Sequence, residues 1–205
     1  MESNMLKRKL LLGVFVTAAI AGCSSSQTVQ QTQQFATCTF PDAPSVEAPA
    51  WICDVMPSDL EAGAMGYAKK SLAGMSVMRK VAINDARVQL ASQFQTDVNN
   101  MFKQAVESTV NTSTESGMIE DVVETFENIT KNVVTRSLSN SKLIVSQVSP
   151  TGGLYVLVGM DKTAYQANVN QVVDSASQDS QLWDKFNSEK ASEDLTNALN
   201  SLKKM

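Results

Sequence analysis

"KLIVSQVSPTGGLYVLVGM", residues 142–160, is the stretch on which the fold turns. Two seven-residue runs rich in β-branched and aromatic residues flank "SPTGG", whose proline and paired glycines suit a tight connection. The stretch therefore spells an antiparallel β-hairpin. In the second run Leu154, Val156, Val158 and Met160 face one way while Tyr155 and Leu157 face the other. Both faces are apolar, which predicts a strand covered on both sides and central in its sheet.

Upstream the period changes from two to about four. Met78, Ala82, Ala86, Leu90, Phe94, Val98, Met101, Phe102 and Ala105 recur at spacings of three and four, with Arg79, Asp85, Arg87, Gln93, Asp97 and Lys103 between them. That pattern predicts a long amphipathic helix. Polar "NTSTESG", 111–117, interrupts it, and a second stripe runs through Ile119, Val122, Val123, Phe126, Ile129 and Val133. The two helices form a hairpin or an angled pair. Beyond the β-hairpin, Tyr165, Val169, Val172, Val173 and Ala176 mark a third helix. The tail carries Leu182, Trp183, Phe186, Leu195, Ala198, Leu199 and Leu202, as a helix would that docks on the domain or on another protein. Trp183, Phe186, Leu199 and Leu202 are the expected association surface. The predicted class is α+β: long amphipathic helices packed on a small antiparallel sheet, with an N-terminal lipid-anchored tether and a C-terminal helical extension.

The N-terminus gives the tether its reading. Lys7, Arg8 and Lys9 precede an almost wholly apolar run, 10–21, which ends at Cys23 in "AIAGCSSS". This is the layout of a secretory signal peptide. The run is about half of the roughly 20 apolar residues a membrane-spanning helix needs. Ile20-Ala21-Gly22-Cys23 resembles the bacterial lipobox, in which the cysteine receives diacylglycerol and becomes the mature N-terminus. Cys23 is thus expected to be an anchor held by acyl chains. Ser24 stands where an aspartate would retain many lipoproteins at the inner membrane, which favours the outer membrane. The expected organisation is a signal peptide at 1–22, a flexible tether at 23–50, an α+β domain at 51–176 and a helical extension at 177–205. The tether assignment rests on the Ser, Thr and Gln content of 24–37 and on Pro41, Pro44 and Pro49.

Removing 1–22 takes away three basic residues and Glu2, leaving 14 Lys+Arg against 20 Asp+Glu, a net charge of −6. Nothing in that balance suits a nucleic-acid partner. Cys38 and Cys53 remain beyond the anchor. In an oxidising compartment a disulfide between them is the simplest use, with two free thiols as the alternative.

Chemistry is bounded by the total absence of histidine. Serine triads, cysteine–histidine nucleophiles and His-bearing zinc sites are excluded. Glu120, Asp121 and Glu124 offer carboxylates, but they fall between the apolar positions of the second helix and read as a solvated face. Gly63 and Gly66 in "GAMGYA" lack a nucleotide-loop pattern and suit a strand packed closely on a helix. Trp51, Trp183 and Tyr165 read as core or interface before ligand stackers. No catalytic residue, metal site or cofactor is expected.

The order of these elements resembles the LPP-twenty family of outer-membrane lipoproteins. The resemblance is carried by the lipobox at Cys23, "APAWICDVMP" at the domain entry, "AGAMGYAKKS", "AINDARVQLASQF" and "GGLYVLVGM". It implies a small non-catalytic α+β domain held at the outer membrane, and flagellar members assemble into rings or discs around the motor. The expected function is a structural or assembly role in the cell envelope, with homo-oligomers or an envelope protein as partners. The alternative is a periplasmic or surface lipoprotein that binds a lipid, glycan or peptidoglycan ligand between helices and sheet, near Trp51, Phe94 or Phe126.

Overall fold

A computed structural model describes residues 37–109, 116–136, 140–186 and 188–204. The signal peptide, Cys23 and most of the tether lie outside the described residues.

The hairpin forms as its pattern dictates: β-strands at Lys142–Val148 and Leu154–Met160 pair antiparallel. Gly152 takes φ +88 in the connection, a conformation that residues with a Cβ rarely adopt. In chain order the strands are β1 (Thr39–Phe40), β2 (Ala43–Glu47), β3 (Ala62–Ala68), β4 (Lys142–Val148) and β5 (Leu154–Met160). β1 and β2 make a small antiparallel pair, and the main sheet is antiparallel in the order β3-β5-β4. β5 is therefore central, and all seven of its residues are buried.

Helix α1 (Met75–Thr109) is 35 residues long, about 52 Å at 1.5 Å per residue. Its buried positions are Met78, Ala82, Ala86, Leu90, Phe94, Val98, Phe102 and Val106, every fourth residue. Four residues turn about 400°, so the buried stripe winds some 40° around the helix at each step. The winding lets one helix serve two partners. Its first half lies on the sheet and its second half packs in a helical layer.

The close approach at the sheet depends on one glycine. A Cβ on Gly66 of β3 would stand 2.1 Å from the Ala82 carbonyl oxygen and 2.5 Å from the Ala86 nitrogen. "GAMGYA" is thus a strand pressed on a helix at Gly66. Gly63, by contrast, borders Met56 and Leu157.

The helical layer comprises α2 (Ser116–Arg136), α3 (Lys162–Ser177), α4 (Ser180–Asp184) and α5 (Glu189–Leu202). Phe102 and Phe126 stack with centroids 3.8 Å apart, and Phe94 meets Tyr165 edge-on at 5.1 Å. Asp161, Asp179 and Ser188 accept hydrogen bonds from Ala164, Leu182 and Ala191 N–H and so start α3, α4 and α5.

Two boundaries differ from the sequence expectation. The described residues fall in one compact unit, so neither 39–50 nor the described part of 177–204 stands apart from the domain. The supposed end of the tether holds β1 and β2, and Phe40, Ala48 and Ile52 are buried against Tyr155. The supposed extension contributes Leu182, Phe186, Leu195, Ala198, Leu199 and Leu202 to the same core as α1 and β5.

Candidate functional site

The segment that enters the domain is fastened twice. Cys38 and Cys53 are joined by a disulfide, with Cα atoms 5.8 Å apart. Cys53 closes a short 3₁₀ turn, Ala50–Cys53, whose Ile52 is buried. Ala48 N–H donates to the Cys38 carbonyl at 2.9 Å, so covalent and backbone links close the same loop.

The second fastening is Asp42, in the "FPDAP" turn between β1 and β2. Its carboxylate accepts from the Ser149 hydroxyl at 2.7 Å, Tyr155 at 3.0 Å, Tyr67 at 3.3 Å, and Thr151. Ser149 and Thr151 come from the turn of the β4–β5 hairpin, and the two tyrosines from β5 and β3, over one hundred residues from Asp42 in the first three cases. The Tyr67 and Tyr155 rings lie 4.7 Å apart, and Phe40 covers Tyr155 at 5.6 Å. Burial pushes the Asp42 carboxyl up, but the four hydroxyl donors outweigh it and hold the group below its usual range. Burial, then Asp42 itself, pushes the Tyr155 phenol up to about 12, and Tyr67 is raised for the same reasons. Every donor is spent on one anion, so the cluster works as a clasp and offers no proton-transfer pair. Sequence reasoning missed it because its members are distant in the chain. The only local signal was the turn chemistry of "FPDAP" and "SPTGG".

The predicted residues fare unevenly. Cys23 is outside the described residues. Cys38 and Cys53 come together as expected. The association surface needs correction: Phe186, Leu199 and Leu202 are buried at 6%, 3% and 0% exposure, packed inside their own domain. Trp183 is half-buried and donates its indole N–H to the Ser177 carbonyl at 3.0 Å. An apolar stripe announces that a face is covered without saying by what. Here the chain covers itself. Phe94 and Phe126, offered as pocket walls, are close-packed core rings. Trp51 is half-buried beside Ile52 and Tyr155. Glu120, Asp121 and Glu124 are exposed on α2, and Asp121 pairs with Lys185 at 3.9 Å. Among the described residues no group of three or more His, Cys, Asp or Glu could hold a metal ion, and no helix is long and apolar enough to cross a membrane.

What the domain does offer is the two edges of its main sheet. β4 is uncovered: Leu143, Ile144, Val145 and Val148 are 36–44% exposed. At the start of β3, bordered by Ala62 and Gly63, lies an open groove of about 670 Å³, between the α1 flank and the loop that precedes the strand. On the outward side of α1, Val77, Val81 and Val88 add a second exposed apolar patch.

No family model and no curated protein matches this chain.

Proposed function

We propose that this protein is a non-enzymatic lipoprotein of the outer membrane, anchored by acyl chains on Cys23, whose domain serves as a structural or assembly component of the cell envelope. The observation that carries the reading is the N-terminal sequence: a basic block at 7–9, a short apolar run and Ile20-Ala21-Gly22-Cys23. The domain is consistent with it. Its entering segment is doubly fastened by the Cys38–Cys53 disulfide and the Asp42 clasp, as suits a chain held at its N-terminal end. Its uncovered β4 edge suits association with copies of itself or with an envelope protein. The resemblance to the LPP-twenty family points the same way and extends the reading to a flagellum-associated ring.

The test is membrane fractionation of wild type beside Cys23→Ser, followed by gentle detergent extraction and sizing. Wild type in the outer-membrane fraction as an assembly, with the variant released, supports the proposal. A wild-type protein that is monomeric at high concentration, with no envelope partner co-purifying, defeats the scaffold role.

A further inference from the structure

Charge is distributed unevenly along this chain, and its basic part coincides with an apolar one. Residues 69–88 hold five of the 14 basic residues beyond Cys23, namely Lys69, Lys70, Arg79, Lys80 and Arg87, but only one of the 20 acidic residues, Asp85. The stretch is therefore +4 in a mature chain of −6. We propose that the outward side of α1 and the turn before it dock on a bilayer surface rich in anionic phospholipid, with the basic groups at the headgroups and the apolar groups pressed between them. The inference goes beyond the acyl anchor of the proposed function and rests on that reading only for nearness to a membrane.

The apolar half of the patch is Leu72, Met75, Val77, Val81 and Val88, five of the eleven large apolar residues exposed among the described residues. Leu72, in the turn before α1, is fully exposed. At 100° per residue the three valines fall within an arc of about 40°, some 140° from Ala82 and Ala86, which press on β3. They line about 16 Å of the helix, and Lys80 and Arg87 run along one flank, about 60–80° from Val77. Valine is a weak helix former, and at these exposed positions no core contact offsets that. Single exposed apolar residues are ordinary, whereas a line of them with a basic flank is the layout of a helix that lies in a membrane interface.

The basic groups are unengaged. All five are exposed, and among the described residues the ion pairs fall elsewhere, at Lys103–Glu107, Lys185–Asp121 and Lys203–Asp174. Asp85, by contrast, is occupied, accepting from the Tyr67 N–H at 2.9 Å and from Gln89 at 3.4 Å. The first turn of α1 holds no acidic residue, so nothing there cancels the positive end of the helix dipole.

Charge and reach select the occupant. Each Lys or Arg near an anionic membrane surface strengthens binding about fivefold, a gain that a neutral surface does not give. Fourteen Cα steps separate Cys23 from Thr37, at most about 48 Å when extended. The entering segment packs on Tyr155, on the sheet face opposite α1, so the chain must pass around roughly 25 Å of layered structure. An anchor at Cys23 therefore leaves enough chain for the α1 side to meet the bilayer.

The experiment uses the mature chain, 23–205, carrying Cys23→Ser and so without acyl chains, floated with vesicles of phosphatidylcholine alone or mixed with phosphatidylglycerol. Binding is expected only with phosphatidylglycerol, against the net charge of the chain, and salt should release it. Lys80→Ala/Arg87→Ala should weaken binding about 30-fold, and Val77→Ser/Val81→Ser/Val88→Ser about tenfold. Lys190→Ala/Lys204→Ala removes the same charge from exposed positions elsewhere and should change it less than about twofold. Circular dichroism checks that each variant keeps its fold. No flotation at low salt, or an equal loss with either basic pair, overturns the proposal. Binding indifferent to the valine substitutions overturns the apolar contact. No vesicle binding, with sedimentation of the chain itself altered by the patch variants, makes the patch a contact between copies and overturns membrane docking. Because the tested chain has no acyl group, an unmodified Cys23 in the native protein would defeat the proposed function without touching these results.

Discussion

Replacing Gly66 by alanine tests the packing on which the fold depends. The added methyl would sit 2.1 Å from the Ala82 carbonyl oxygen, 2.5 Å from the Ala86 nitrogen and 2.8 Å from the Ala86 Cβ. The two nearest atoms belong to the α1 backbone, and no rotamer change moves them. Either α1 lifts from the sheet or β3 is displaced. Overpacking a core typically costs 1–3 kcal/mol, and a backbone clash belongs at the upper end, about 3 kcal/mol. For a domain of this size that corresponds to a fall in Tm of about 6–12 °C. Urea unfolding followed by tryptophan fluorescence gives the free energy directly. Two comparisons sharpen the test. Gly63→Ala meets the Met56 sulfur at 3.1 Å, the mobile end of a side chain, and should cost less than about 1 kcal/mol. Ala86→Gly removes only the most distant of the three clashing atoms, so it should not rescue Gly66→Ala. A loss below about 1 kcal/mol for Gly66→Ala, or full rescue by Ala86→Gly, would refute a backbone contact at this point.

Asp42→Ala should destabilise the domain by about 1–2 kcal/mol, since the carboxylate is half-exposed and water replaces part of what its donors lose. Denaturant titration beside Asp42→Asn measures it. The depressed Asp42 carboxyl contributes stability that is present above its ordinary pKa of 3.8 and is lost as pH falls through the lower folded value. Tyr155 contributes in the opposite direction. Its stabilisation is complete below pH 10 and disappears as pH rises to about 12, and Asp42→Ala should shallow that alkaline loss in unfolding curves taken across the range. Cys38→Ser/Cys53→Ser opens a loop with a sequence separation of 15 and should cost about 3 kcal/mol by calorimetry, with the remaining domain still folded. Leu199→Ala should cost 2–5 kcal/mol of folding stability, as a core truncation does, and the loss should be the same across a range of protein concentrations, which an interface effect would not be.

The hairpin and α1 were legible because their signals are local. Alternation on both faces of 154–160 is enough to make β5 central, and spacing alone marks the buried stripe from Met78 to Phe102. Even the helix contact in "GAMGYA" could be read, since a glycine in a strand beside an alanine-rich helix has few other uses. The segment 39–50 was not legible. It is poor in apolar residues, and its order comes from Cys53 and from hydroxyls on Ser149, Thr151 and Tyr155, partners that proximity in sequence does not reveal. The tail failed differently. Leu195, Leu199 and Leu202 correctly announce a buried helix face, but whether the cover is the chain itself or another molecule is a matter of topology. β4 is the converse case: "KLIVSQV" is as apolar as many covered strands, yet Leu143, Ile144, Val145 and Val148 are bare in the folded chain.

The most direct test of the account is the intact mass of the mature protein extracted from membranes, with the N-terminal peptide sequenced by mass spectrometry. The account predicts cleavage before Cys23 and added acyl mass on that residue, both lost in Cys23→Ser. A mature N-terminus elsewhere, or an unmodified Cys23 thiol, would contradict the anchor and with it the envelope role built upon it.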